Sequence, residues 1–200
     1  ELGDKESVGN LKSKIGQIYE AKGDYDNSLI YSQNALSYIE ELNDTIGISS
    51  IYIGLGSNYL KIGDFKQAKK YYKDALNIRI KFGINSYIGY AHFNFGYMYC
   101  ILEDYKKSLV HFEKYEDILK NEKGKDFKRD LSFASYLNLT FKKLGKDYDE
   151  AEVRSLLEEE NIEEFGYRLN FVLYQLLDDR TFLERAYKNV VKKSKWLDDK

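Results

Sequence analysis

Apolar residues recur along this chain at helical spacing, and glycine or polar residues interrupt them at regular intervals. Side chains three or four residues apart share one face of an α-helix, so each uninterrupted segment predicts a helix with an apolar face. The interruptions divide the chain into consecutive helix pairs. The predicted pairs cover approximately residues 6–42, 45–82, 86–121, 127–160 and 163–197.

The turn inside the first pairs has its own signature. Gly23 and Gly63 stand where a helix commonly ends in a left-handed residue, and each is followed by an aspartate that can cap the next helix. The third pair keeps the aspartate, Asp104, but lacks the glycine. The fourth pair is degenerate and the fifth keeps only the length, as expected of terminal units that must cover a solvent face.

One motif returns every forty residues in the first three pairs. A period of this length, built from paired helices, is typical of stacked repeats in which no unit buries its core alone. Amphipathic helices explain apolar spacing, but they do not explain a glycine at the same place in three successive helices. The motif, Gly-x-x-Tyr, begins at Gly16, Gly56 and Gly96.

These residues resemble the tetratricopeptide repeat, which has a Leu-Gly pair, a tyrosine, a small residue, an aromatic and an alanine at fixed positions. The resemblance implies an all-α fold, a right-handed α-α superhelix of about five helix pairs, with residues 1–200 as a single solenoid. It also implies that the glycine admits close approach of the paired helix. The second repeat matches best, through Leu55, Gly56, Tyr59, Ala68, Tyr72 and Ala75.

The forty-residue period exceeds the usual 34 of this family. Such long repeats are similar to those of kinesin light chains, bacterial peptide-pheromone receptors and sensor regions attached to bacterial kinases or cyclases. This likeness implies a non-enzymatic scaffold that binds protein or peptide segments within a larger signalling protein. The chain starts at Glu1 without a methionine, as we expect of a region excised from a longer protein. One alternative is a docking platform for an attached output domain, and another is an RNA-binding repeat.

In the resembling family, the first helix of each pair lines a concave face. Carried onto this chain, those positions place a tyrosine-rich patch around Asn94, with a dent in the surface at Gly54. Tyrosine is favoured at recognition hot spots because its large ring loses little rotamer entropy. Alternatively, the rings pack against neighbouring repeats or an attached domain. The predicted groove residues are Gln17, Ile53, Ser57, Tyr90, Phe93, Asn94, Tyr97 and Tyr136.

Catalytic and metal-binding patterns are weak. His92 and Cys100 share a predicted helix, but eight residues separate them by about 12 Å along the axis. That separation is too long for a hydrogen bond between a nucleophile and its base. The sequence has no helical His-x3-His and no paired cysteines. We therefore predict no catalytic residue, no metal site and no cofactor.

Composition restricts the partner class further. A net charge of −2 argues against broad capture of nucleic acid or acidic membranes, and no apolar run approaches the length of a membrane helix. The single cysteine suits a reducing compartment, so we expect the cytoplasm. A basic run near the end keeps the RNA alternative open, since basic groups beside an aromatic can contact RNA. It comprises Arg185, Lys188, Lys192, Lys193, Lys195 and Trp196.

Overall fold

The computed structural model describes residues 2–83, 85–124, 127–161 and 165–198. Of the residues in these ranges, 84% are helical and none lies in a strand, which confirms the predicted all-α fold class. The helices, in chain order, are α1 (Leu2–Lys22), α2 (Tyr25–Glu41), α3 (Thr45–Ile62), α4 (Phe65–Lys81), α5 (Asn85–Ile101), α6 (Tyr105–Lys123), α7 (Leu131–Lys143), α8 (Glu150–Glu158), α9 (Tyr167–Leu177) and α10 (Arg180–Asp198).

The helices group into two compact units, residues 1–98 and residues 99–200. The first unit contains α1 to α4 and most of α5. Within it, α1 packs on α2, α2 on α3, and α3 on α4. The second unit contains the end of α5 and helices α6 to α10. Within it, α9 packs on α10, while α7 packs on α6, α8 and α9.

The core of the first unit joins successive helix pairs. Ala35 and Ile39 of α2 cluster with Ile51 and Leu55 of α3, and all four side chains are buried. Each large aliphatic side chain removed from water contributes about 1.5 to 3 kcal/mol of transfer free energy. The second helix of one pair is therefore held to the first helix of the next pair by the apolar residues of the repeat pattern.

The glycine motif brings the helices of a pair together, as the resemblance implies. A Cβ placed on Gly16 would lie 3.0 Å from Ser32 Oγ and 3.3 Å from the carbonyl oxygen of Ser28. The Ser28 hydroxyl donates to the Gly16 carbonyl at 2.7 Å and accepts from Asn58 Nδ2 at 2.8 Å. A buried hydroxyl thus links α1, α2 and α3 at the place where the glycine leaves room.

Six of the described helices begin at an aspartate whose carboxylate accepts the backbone N–H three residues later. This bond satisfies one of the N–H groups that a helix N-terminus leaves without an internal partner. The predicted caps at Asp24 and Asp64 are confirmed, and Gly23 and Gly63 adopt left-handed φ angles of 85° and 88°. Glu103, which replaces the glycine in the third pair, adopts φ 57°.

Two helices of the second unit start later than predicted. The α7 helix begins at Leu131 rather than near residue 127, because Asp130 is its N-cap and its carboxylate accepts from Phe133 N at 2.8 Å. The α9 helix begins at Tyr167, after the extended N-cap Gly166 and past the predicted start near residue 163, which itself lies outside the described residues. In both cases the apolar spacing continues into residues that precede the cap, so periodicity alone placed the start too early.

The core of the second unit surrounds α7, whose residues 131 and 133–140 are all buried. Leu131 and Ala134 cluster with side chains of α8, α9 and α10. Asn138, which occupies the glycine position of the degenerate fourth repeat, accepts from the backbone N–H of Asp149 at 2.8 Å. Its Nδ2 donates to the Ala134 carbonyl at 2.9 Å. The asparagine therefore ties the turn before α8 to α7 by hydrogen bonds.

Candidate functional site

Four of the predicted groove residues form one stripe on α5. They are Tyr90 and the residues three, four and seven positions after it, namely Phe93, Asn94 and Tyr97. This spacing places all four on one face of the helix. Tyr90 is 54% exposed, and the other three side chains are half-buried. Each of the three aromatic residues also makes contacts within the fold, so the stripe is anchored as well as solvent-accessible.

The other first-unit predictions lie at equivalent positions of the preceding repeats. Ile53 and Ser57 are half-buried on α3, and Gln17 is exposed on α1. Gln17, Ser57 and Tyr97 are related by the forty-residue period. We name this set of seven predicted groove residues the first-unit face: Gln17, Ile53, Ser57, Tyr90, Phe93, Asn94 and Tyr97.

An ion pair connects α1 and α3 beside the first-unit face. Glu20 Oε1 accepts from Ser57 Oγ at 2.8 Å and from Lys61 Nζ at 2.6 Å. The Glu20 and Lys61 side chains are both less than one-third exposed, and each neutralises the other. Sequence reasoning did not single out Glu20, although it lies three residues after Gln17 and therefore on the same face of the helix. The carboxylate also orients the Ser57 hydroxyl.

Gly54, where we predict a dent in the surface, faces open space. A Cβ placed on Gly54 would have no heavy atom outside its own helical turn within 4 Å. Gly54 lies one repeat before Asn94, in the same helical position of α3. A partner side chain could therefore contact the α3 backbone there. Adding a methyl group would fill part of that space without disturbing a neighbour.

Tyr136 is the one predicted groove residue in the second unit, where it is only 5% exposed and lines a cavity of that unit. Of the basic run near the end of the chain, Lys188 and Lys192 are exposed on α10. The side chains of Lys193, Lys195 and Trp196 lie outside the described residues.

The residues considered for chemistry do not form a reactive site. Burial raises the pKa of the Cys100 thiol to about 11, despite a hydrogen bond with Thr140 that acts in the opposite direction. The thiol is therefore protonated at neutral pH and is a poor nucleophile. His92 is half-buried on α5. In the described part of the chain, no three His, Cys, Asp or Glu side chains are grouped to hold a metal ion.

None of the helices in the described ranges combines the length and the apolar character needed to cross a bilayer. The first-unit face combines the aromatic rings of α5 with the amides of Asn94 and Gln17, and open space lies at Gly54.

Comparisons with known proteins agree with this architecture. Residues 7–81 match the family described as tetratricopeptide repeat. No curated protein matches the chain. A crystal structure of BtubC (BKLC) from P. vanneervenii superposes with a TM-score of 0.60 at 18% identity, covering 76% of this chain and 61% of that one. The apo form of RapI superposes with a TM-score of 0.66 at 17% identity, covering 98% of this chain and 55% of that one.

These two structural neighbours establish the helical-repeat fold and nothing finer, because their sequence identity to this chain is low. The chain spans about three fifths of BtubC and about half of RapI. The repeat match supports a scaffold for protein–protein interaction.

Proposed function

We propose that this tetratricopeptide-repeat chain binds a protein or peptide segment on its first-unit face, without catalysing a reaction. The observation that carries the proposal is the stripe on α5, where Tyr90 is 54% exposed next to Phe93, Asn94 and Tyr97. A stable fold gains little from leaving so large a ring in water. Aromatic side chains that are partly anchored and partly exposed are typical of recognition surfaces.

The three chemical features of the face have separate roles in this proposal. The rings on α5 cover apolar side chains of the partner and exclude water from the contact. The Asn94 amide carries both donors and an acceptor, so it can pair with a backbone amide and fix the register of the bound segment. The space at Gly54 receives one partner side chain against the α3 backbone.

The charge pattern supports a partner recognised by shape and hydrogen bonds. Beside the face, Glu20 and Lys61 are paired with each other, so neither provides an uncompensated charge for electrostatic capture. The whole chain carries a net charge of −2. We therefore expect binding to depend weakly on ionic strength, whereas binding of RNA would weaken steeply as salt increases.

In the cell, we propose that the chain acts in the cytoplasm as the sensor or regulatory region of a larger signalling protein. The bound segment would come from a separate protein or peptide, and occupancy would be transmitted to an attached output domain. The alternative is that the segment belongs to the output domain itself, which would make the face an intramolecular dock. Both possibilities use the same residues, and they differ in whether binding occurs between molecules.

A photo-crosslinking experiment tests the proposal and separates these possibilities. A benzoylphenylalanine is placed at Tyr90 in the full-length protein, and a matched control carries it at Ile30 of α2, whose side chain is equally exposed (53%) but not on the first-unit face. We expect products specific to residue 90, either with another polypeptide or within the chain. Identical crosslinking patterns from both positions would overturn the proposal.

A further inference from the structure

A cavity of about 550 Å³ lies in the second unit. This volume falls within the range of about 300 to 1,000 Å³ that is usual for binding pockets. Its floor consists of buried side chains from the end of α5 and from α7, α9 and α10. They are Cys100, Tyr136, Leu139, Val172 and Ala186. The floor is therefore almost entirely apolar, and it is fixed by the packing of the unit's core.

The rim of the cavity exposes large apolar side chains. Leu183, Tyr187 and Val190 are spaced at four and seven residues along α10, so they form one stripe facing the cavity. Tyr187 is 70% exposed, and Phe171 on the α9 side is 45% exposed. Contiguous apolar surface of this kind marks interaction sites on soluble proteins more often than scattered single residues do.

The polar groups of the wall restrict the chemistry of an occupant. Arg168 and Glu103 are the charged residues lining the cavity in the described part of the chain, and their charges are opposite. The Arg168 Nε donates to the Tyr167 hydroxyl at 2.8 Å, and the guanidinium carbon lies 5.5 Å from the centroid of that ring. The wall thus offers no net charge, and an uncharged apolar group matches it better than an acidic or basic one.

The open rim favours a polypeptide over a small apolar molecule. A small ligand gains most from a pocket that encloses 70–90% of its surface. Here the rim residues Phe171 and Tyr187 remain substantially in water, so the cavity is open to solvent and would not enclose a small ligand. A segment of chain can insert two large side chains into such a groove while its polar backbone stays at the mouth and in contact with water.

We propose that this cavity is a second docking site, which receives two large uncharged side chains, aromatic or aliphatic, from a protein or peptide segment. The inference rests on the proposed function, because it assumes that the chain binds polypeptides. It adds a site in the second unit and states the residue chemistry that the site selects. Tyr136, one of the predicted groove residues, belongs to this cavity instead of the first-unit face.

A peptide selection on the whole 200-residue protein tests this site. Random 12-residue peptides displayed on phage are selected, and enriched sequences are resynthesised with a fluorescein label for anisotropy titrations. The test variant is Val190→Ser and the control is Val110→Ser on α6, because the two valines have similar exposures of 47% and 50% and only Val190 lines the cavity. Asn94→Ala reports separately on the first-unit face.

We expect enriched peptides with at least two large apolar residues, whose dissociation constants rise about tenfold in Val190→Ser and remain unchanged in Val110→Ser. Peptides sensitive to Asn94→Ala but not to Val190→Ser would overturn the second site and leave the proposed function standing. Failure to enrich any peptide would count against both. Binding of 8-anilinonaphthalene-1-sulfonate that Val190→Ser abolishes, with no peptide sensitive to this variant, would identify a small-molecule pocket and also overturn the inference.

Discussion

The Tyr72 ring lies directly against Gly56, so that a Cβ placed on Gly56 would come within 2.5 Å of Tyr72 Cε1 and 2.6 Å of Cδ1. Tyr72 is only 1% exposed. The motif glycine of the second repeat therefore provides the space that a buried ring of the paired helix occupies. In the first repeat the equivalent ring is absent, and Ser32 Oγ is the atom nearest to the Cβ position on Gly16.

This contact predicts opposite effects for two neighbouring glycine substitutions. Gly56→Ala should lower the free energy of unfolding by about 1 to 3 kcal/mol, because the methyl group overpacks the Tyr72 ring. Gly54→Ala should raise it by up to about 1 kcal/mol, because alanine is the better helix former and the added methyl group meets open space. Urea denaturation of both variants measures the difference. Equal changes in the free energy of unfolding would show that contact with the Tyr72 ring does not determine the effect of a methyl group at position 56.

The Gly54→Ala variant also carries a prediction for binding. Filling the dent should weaken binding of the partner to the first-unit face, while the fold becomes more stable. This combination separates a loss of binding surface from a loss of folded protein. An affinity equal to that of the wild type would exclude the dent from the binding site.

We expect replacement of Arg129 in the second unit to reduce the stability of the protein substantially. Its guanidinium donates to Glu116 Oε1 at 2.6 Å and to both carboxylate oxygens of Glu152 at 2.9 and 3.0 Å. Glu116 is buried, so Arg129→Ala removes its main partner and should destabilise the protein by about 2 to 3 kcal/mol. This is less than the loss of about 3 to 5 kcal/mol expected for a fully buried pair, since Lys120 Nζ remains 2.9 Å from Glu116.

The control for Arg129 is an exposed ion pair on a single helix. Arg154 pairs with Glu150 at 2.7 Å, and both side chains are more than one-third exposed. Arg154→Ala should change the free energy of unfolding by no more than about 0.5 kcal/mol. Thermal and urea denaturation provide the comparison. A similar loss in both variants would mean that burial does not set the strength of the Arg129 network.

We expect ionisation of the Asp104 carboxyl to make the stability of the fold depend on pH. Hydrogen bonds from the Lys107 side chain and then from its backbone N–H hold the pKa of this carboxyl below its usual value. The folded state therefore binds the proton less readily than the unfolded chain, in which the pKa is about 3.9. The stability that the ionised carboxylate contributes is present above that value and is lost as pH falls through the lower folded pKa.

Asp104→Asn isolates the charge, because asparagine is also a good N-cap residue. The difference in the free energy of unfolding between wild type and variant should be constant from pH 7 to about pH 5. It should shrink below about pH 4 as the wild-type carboxylate becomes protonated. Urea denaturation between pH 3 and pH 7 measures it. A difference that persists unchanged to pH 3 would contradict the assigned pKa.

The first unit could be predicted closely from sequence because its local signals agree with its packing. Asp24 and Asp64 cap helices where predicted, and the glycine motif locates the contact within each pair. The second unit was predicted less well at its boundaries. Asp130 and Gly166 determine the starts of α7 and α9, but apolar spacing runs past both of them. Helix boundaries follow local capping geometry, which periodicity does not contain.

The candidate sites show a similar division. Repeat positions placed Tyr90, Asn94 and Tyr97 on one helical face, since the 3.6-residue period alone determines that relationship. The cavity beside Tyr136 depends on side chains from α5, α6, α7, α9 and α10 that are far apart in sequence. No spacing rule brings these together, because their proximity follows from how degenerate repeats pack. The Arg129 network likewise joins residues that are distant in sequence, because Arg129 bonds to Glu116 and Glu152.

The most direct test of the central claim is the affinity of the segment identified by crosslinking at Tyr90 for the Asn94→Ala protein. Isothermal titration calorimetry should show a dissociation constant at least about tenfold higher than for the wild type, with an unchanged melting temperature. The exposed Asn34→Ala on α2 serves as the control and should bind normally. Unchanged affinity in both Asn94→Ala and Tyr90→Ala would contradict binding at the first-unit face.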